Sequence, residues 1–206
     1  MADVNFIDGA DASTIADWIA DRLNQVLSTR SGQVTICVSG GSTPISIFRE
    51  LVTHDLDFAR ICIWPNDDRI VAEDHEASNT GMIRAIFEPT GAYIVGLPEA
   101  GTVPRFDLMW LGMGDDGHIA SLFPNTDPDP ADPQAIRQLT PDPLPAHAPF
   151  DRITLTLPAL TQADTVMFVI RGSEKRSVFD AAVAGENDLP IARFLRMLSQ
   201  PVTCFT

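Results

Sequence analysis

The stretch Asp107-Leu-Met-Trp-Leu-Gly-Met-Gly-Asp-Asp-Gly-His-Ile-Ala-Ser-Leu-Phe-Pro124 decides how the rest of the chain is read. Leu108 to Leu111 is an apolar run of buried-strand length. It breaks at Gly112-Met-Gly114, turns through Asp115-Asp116-Gly117, and sets His118 at the head of a short apolar segment. A strand that runs through a glycine turn into a helix is where open α/β sheets place their ligand sites. The expectation is therefore an α/β fold with His118 at the carboxyl end of a central strand, just ahead of a helix.

Working outward, other runs repeat this grammar. Val34-Thr-Ile-Cys-Val38 reads as a buried strand, followed by Ser39-Gly-Gly-Ser-Thr-Pro44 and a helix carrying Ile45, Phe48, Leu51 and Val52. Proline suits that first helical turn because its missing N–H has no intrahelical partner there. Two glycines and two hydroxyl residues ahead of a helix make an anion site, through free N–H groups and the positive end of the dipole. The same residues also make a plain strand-to-helix turn with a hydroxyl cap. No Gly-Lys-Ser/Thr follows, so this is not a Walker loop. Ile61-Cys-Ile-Trp64 makes the next strand and runs into Pro65-Asn-Asp-Asp-Arg69, which brings two carboxylates and a guanidinium to the same end of the sheet.

The remaining elements alternate. Asn5 to Ile7 reads as an edge strand, and Asp11 or Ser13 caps a helix through Ile15, Ile19, Leu23 and Leu27 that Gly32 closes. Ser78-Asn79 opens a helix with Met82, Ile83, Ile86 and Phe87 buried, and Tyr93 to Val95 is a short strand. Arg152 to Leu157 alternates, and Thr165 to Ile170 is a buried strand ending at Arg171-Gly-Ser-Glu-Lys175. A helix stopped by Gly185, a last helix from Pro190, and a strand from Val202 to Phe205 complete the chain. The pattern predicts one three-layer α/β domain over residues 1–206 with a mainly parallel sheet. Between Pro124 and Pro149 lie eight of the sixteen prolines, so this segment reads as an excursion over the surface with His147 facing solvent. His54 reads as a helix C-terminal cap, and His75 as a solvated loop residue.

Composition bounds the function. The formal charge of -14 speaks against a nucleic-acid partner, which would need a basic face. It leaves room for a small anion, because a few cations in a cleft outweigh a distant acidic surface. No apolar run approaches the ~20 residues of a membrane span, and no secretory signal is visible at the start. Three cysteines without paired spacing, Cys37, Cys62 and Cys204, read as reduced thiols in a reducing, cytoplasmic compartment. None stands at zinc-like spacing from a histidine, so no metal is expected.

Three turns thus stand at the ends of three strands: Ser39-Gly-Gly-Ser-Thr-Pro44, Asp67-Asp-Arg69 and Gly112-Met-Gly-Asp-Asp-Gly-His118. In this order, and with Ile-Ala-Ser-Leu-Phe-Pro124, Arg152-Ile-Thr-Leu-Thr156 and Gly172-Ser-Glu-Lys175, the chain resembles the 6-phosphogluconolactonase family. The resemblance implies a Rossmann-like sheet of the kind shared with sugar-phosphate isomerases and deaminases, and hydrolysis of 6-phospho-D-glucono-1,5-lactone to 6-phosphogluconate without metal or organic cofactor; a monomer or weak homodimer is expected. It implies that Gly40, Gly41, Ser42, Thr43 and Lys175 hold the phosphate and that His118 is the general base. Where the family usually has Asp-Glu-Arg, this chain has Asp67-Asp68-Arg69. Asp67 and Asp68 are candidate substrate contacts, with any contact of the shorter Asp68 displaced or bridged by water. Arg69 is assigned either to the phosphate or to the developing oxyanion. Asp116 is expected to orient the imidazole ahead of Asp115, and a helix behind His118 would favour the neutral ring.

The nearest rival, glucosamine-6-phosphate deaminase, carries an Asn-Glu-Pro segment after its histidine, where this chain has Ala120-Ser-Leu-Phe-Pro124 without a carboxylate. A non-catalytic sugar-phosphate sensor is the rival of a different class, and the intact His118 and Lys175 argue against it.

Overall fold

The computed structural model describes residues 2–145 and 148–206; His147, read above as solvent-facing, lies outside the described residues. In chain order the elements are β1 (Val4–Ile7), α1 (Ala12–Thr29), β2 (Val34–Val38), α2 (Ser42–Leu51), β3 (Ile61–Pro65), β4 (Asp67–Arg69), α3 (Asn79–Phe87) and β5 (Tyr93–Ile94). They continue as β6 (Phe106–Leu111), β7 (Ile136–Leu139), β8 (Arg152–Leu155), α4 (Leu157–Leu160), β9 (Ala163–Val169), α5 (Ser173–Ala184), α6 (Pro190–Met197) and β10 (Val202–Phe205). Seven strands form one sheet in the order β1-β10-β9-β6-β2-β3-β5, and every pairing in it is parallel.

Period-2 alternation in those strands builds the two faces. Val34, Ile36, Val38, Leu108, Trp110, Met167 and Val169 face α1, α2 and α3. Cys37, Met109, Leu111, Val166 and Phe168 face α4, α5 and α6. Strands covered on both sides read as continuous apolar runs, and all six residues of β6 are buried. Trp110 stacks edge-to-face on Phe48 at 5.0 Å, and Phe48 on Phe87 at 5.1 Å. Emptying that cluster by Trp110→Ala is expected to cost ~3–5 kcal/mol.

Helix starts follow local chemistry. Asp11 accepts the Thr14 N–H at 2.8 Å and caps α1, and Ser78 accepts the Gly81 N–H at 3.0 Å and caps α3. Gly185, at φ 76, ends α5 in the left-handed conformation that glycine adopts freely. At α1 the expectation differs from the structure: the helix ends at Thr29 with Arg30 already extended, two residues before Gly32.

Two further differences matter for the site. A second, antiparallel sheet of order β4-β8-β7 stands beside the main one. Asp67-Asp-Arg69, read as a turn, is one of its strands, and the proline-rich segment supplies another, β7. Ile136, Ile153 and Leu155 bury this sheet in the same core as α5 and α6. The second difference is that no helix follows His118. Ile119 instead bridges to Leu122, with the Leu122 N–H donating to the Ile119 carbonyl at 2.9 Å, and Pro124–Thr126 is only a 3-10 turn. The helix dipole expected to act on the imidazole is therefore absent there.

The strand order places β6 beside β2 while the chain moves outward from them in opposite directions, through β3 and β5 on one side and β9 on the other. That reversal is the switch point at which open α/β sheets leave a crevice at the carboxyl ends of their strands.

Candidate functional site

A cleft of about 360 Å³ occupies that switch point. The turn after β2 lines it with Ser39, Gly40, Gly41, Ser42 and Thr43, and the loop after β6 with Gly112, Met113, Gly114 and His118. Asp67 and Arg69 of β4 and Lys175 of α5 complete the residues that the sequence singled out. Asp68, Asp115 and Asp116 do not line it.

His118 is placed by its loop. Its carbonyl accepts the Gly114 N–H at 2.9 Å, closing the turn, and Gly117 sits at φ 79. A Cβ on Gly114 would fall inside the imidazole, so only glycine lets the ring lie back over the turn. Asp116 Oδ1 accepts from the His118 backbone N–H at 3.1 Å and meets His118 Nδ1 at 2.6 Å. Burial alone would push the Asp116 carboxyl up; the hydrogen bonds and charge of His118 bring it below the usual range instead, so it is ionised near neutral pH. A carboxylate on Nδ1 fixes the tautomer with the proton there, which leaves Nε2 as the acceptor. Nε2 has no hydrogen-bond partner among the described residues. Phe123 closes one side of the ring, 4.6 Å between centroids.

The next turn is held in a costly shape. Ala120 lies at φ 48, a left-handed conformation worth roughly 1–2 kcal/mol for a residue with a Cβ. The distortion brings Ser121 round to donate to Asp67 Oδ2 at 2.5 Å. Burial pushes the Asp67 carboxyl up, against the lowering effect of Ser121 and of the Arg69 charge.

Asp68 is placed differently from its neighbour. Its buried carboxylate accepts from the backbone N–H groups of Asn79 at 2.6 Å and Thr80 at 2.8 Å, and from Thr80 Oγ1 at 2.6 Å. It anchors the start of α3 and turns away from the cleft. The expectation of a displaced or water-bridged contact is thus corrected: an aspartate reaches the helix directly.

Electrostatics favour an anion. Arg69, Arg152, Arg171 and Lys175 line the cleft, with Asp67 as the one acidic lining residue among those described. Low-dielectric walls focus such a cluster even in a chain of formal charge -14. The N-cap of α2, Gly41 at φ 94, makes no side-chain cap bond, so the first N–H groups of that helix remain open where Ser42 and Thr43 meet the cleft. Lys175 Nζ lies 3.6 Å from Asp115 Oδ1, which puts the two aspartates after Gly114 on different partners. Among the described residues no group of three or more His, Cys, Asp or Glu is placed to hold a metal ion.

Arg152, Arg171 and Asn79 also line the cleft, although the sequence reading gave none of them a role there. Arg152 opens β8, is 3% exposed, and donates to the Ala148 carbonyl at 2.7 Å; burial, then the nearby Arg69 charge, pulls its pKa below the usual arginine range. Arg171 stands at the carboxyl end of β9, where the rule that found the other turns would also have found it. Asn79 was read only as a helix start.

A family model described as glucosamine-6-phosphate isomerases/6-phosphogluconolactonase matches residues 9–92 and 88–202. A 6-phosphogluconolactonase of Neisseria meningitidis serogroup A is 35% identical, over 94% of this chain and 92% of its own length. One from Pseudomonas aeruginosa is also 35% identical, over 90% and 87%. Among solved structures, a 6-phosphogluconolactonase from Shewanella baltica superposes with a TM-score of 0.83 at 28% identity, covering 100% of this chain and 97% of that one. Fold, site geometry and sequence thus converge, and the chain belongs to the family of glucosamine-6-phosphate isomerases and 6-phosphogluconolactonases.

Proposed function

We propose that the chain is a 6-phosphogluconolactonase, hydrolysing 6-phospho-D-glucono-1,5-lactone to 6-phosphogluconate in the oxidative pentose phosphate pathway. One observation carries the reading: His118 holds Nδ1 on Asp116 at 2.6 Å while its ring lines a cleft walled by four cationic side chains. The relatives bear that activity in their names.

In this reading the substrate phosphate lies at the open start of α2, against Gly40, Gly41, Ser42 and Thr43, with Lys175 and Arg69 beside it. This leaves the lactone carbonyl toward His118. Nε2 takes a proton from water as the water oxygen bonds to the lactone carbon, an effect typically worth ~10²–10⁴ in rate. Asp116 holds the ring in the required tautomer and offsets the imidazolium charge. The carbon–ring-oxygen bond then breaks, the imidazolium proton passes to the departing oxygen, and the new carboxylic acid loses its proton to solvent. A δ-lactone is an activated ester, so no covalent nucleophile is needed. Asp67 contacts the sugar in this arrangement. Residues 1–206 act as one lactonase domain, cytoplasmic, as a monomer or weak homodimer without a nucleic-acid partner. Among the described residues no helix is long and apolar enough to cross a membrane.

The test is a coupled assay on freshly made lactone, with glucosamine 6-phosphate as parallel substrate. Lactone hydrolysis well above the spontaneous rate is expected, with no release of ammonia from the amino sugar. A rate equal to that of buffer overturns the proposal, and ammonia release moves the assignment to deamination.

A further inference from the structure

The start of α3 touches three separate parts of the site at once, through a single side chain. Asn79 is 4% exposed. Its Nδ2 donates to the Asp67 carbonyl at 2.9 Å. Its Oδ1 accepts from Arg69 Nη1 at 3.2 Å. Its amide also packs so close to Gly40 that a Cβ there would fall inside the Asn79 side chain. Gly40 is not in a left-handed conformation, so close approach is what requires glycine there. Asn79 is held in turn by Asp68, which accepts its backbone N–H at 2.6 Å.

We infer that Asn79 is a positioning residue for the phosphosugar site, fixing the Gly40-Gly41 turn and the Arg69 guanidinium relative to each other. The inference rests on the lactonase reading for its kinetic side. The chemistry follows from the amide. A carboxamide carries a donor nitrogen and an acceptor oxygen on the same planar head, and here the nitrogen donates to the main chain of β4 while the oxygen accepts from Arg69. Arg69 is thereby oriented from one edge: Nη1 also donates to the Ala77 carbonyl at 2.9 Å, while Nη2 makes no hydrogen bond among the described residues. An anion bound in the cleft would meet a guanidinium whose place is already fixed. Without the amide, Arg69 and the glycine turn would no longer share a common reference, and the distance between the phosphate donors would widen.

The test uses the full chain. Asn79→Ala keeps the backbone cap on Asp68 and removes the amide. KM for the lactone is expected to rise at least tenfold, well beyond the fall in kcat, with inhibition by inorganic phosphate weakened in parallel. A purely structural role would lower Tm and the active fraction while leaving KM and phosphate inhibition near wild type, and that result overturns the inference. Packing is read separately from activity: Gly40→Ala should lower Tm, and Asn79→Ala should relieve most of that loss in the double variant, because the two side chains compete for one space. Independent, additive losses would also overturn it. If Asn79→Ala does not fold, Asn79→Ser carries the same kinetic test, since it too removes the amide and adds no charge beside the anion site. A wild-type chain without lactonase activity sinks the functional reading alone, because phosphate binding and the Tm coupling remain measurable.

Discussion

Among the described residues there are two histidine–aspartate pairs, and only one belongs to the cleft. His118 meets Asp116 at 2.6 Å in the loop after β6; His54 meets Asp17 at 2.9 Å where the end of α2 packs on α1. At His54 both ring nitrogens are engaged, Nε2 by Asp17 and Nδ1 by the Glu50 carbonyl at 3.1 Å. At His118 only Nδ1 is. The carboxylate is common to both, so it cannot be what makes a histidine a base. The free nitrogen and the neighbouring cations make the difference. One pair closes a helix, and the other leaves a lone pair facing a cleft.

The largest expected effect breaks the comparison at its catalytic member. His118→Ala should lower kcat by ~10²–10⁴ with little change in KM, because it removes a group engaged in the transition state. His54→Ala should leave both constants within about twofold. Equal losses in the two variants would mean that His118 serves the fold. Next comes the partner: Asp116→Asn presents an amide to Nδ1 and unsettles the tautomer, so kcat should fall roughly tenfold or more, whereas Asp17→Asn should not alter it. Steady-state kinetics on freshly made lactone reads both. Third, Lys175→Ala removes a charge-assisted contact worth about 1.5 kcal/mol, which corresponds to about a tenfold rise in KM. An unchanged KM, with unchanged phosphate competition, would falsify its place beside the phosphate.

The same contrast shows which parts of the site the sequence could reveal. His118, Lys175 and the glycine turn were legible because they follow strands whose apolar runs are long enough to be recognised, and a carboxyl-terminal position then implies the crevice. The second sheet was not legible. β4 is three charged residues, and β7 lies in a proline-rich segment with its middle residues exposed. Their hydrogen bonds come from β8, far along the chain, so no local period betrays them. Arg152 was given no place in the site for that reason, since its position in the cleft depends on β8 pairing with β4. Asn79 was hidden differently: its backbone opens a helix, as its position after Ser78 indicates, and its side chain does separate work. Asp68 shows the reverse, a carboxylate beside Asp67 in sequence that turns to the helix because α3 starts within its reach. Even the helix expected after His118 yielded to a local cause, the Ile119–Leu122 bridge with Ala120 left-handed at its tip.

The smallest effect concerns the other pair and is one of stability. The hydrogen bond to Asp17, against the opposing effect of burial, raises the His54 pKa above its ordinary value, and the Glu50 carbonyl adds to the rise. A raised folded-state pKa means that the native protein binds the proton more tightly than the unfolded chain does. The stabilisation is therefore complete below the unfolded value, about 6.5, and is lost as pH rises through the folded one. Asp17 is 66% exposed, so solvent and salt screen the pair and its worth is at most about 1 kcal/mol. For a chain of this length that is a Tm difference of roughly 2–4 °C. Wild type should therefore melt slightly above His54→Ala near pH 6, and the gap should narrow toward pH 8 and in high salt. A gap that widened with pH would mean that His54 is held neutral, as a packing group. The two pairs would then differ in more than the free nitrogen of His118.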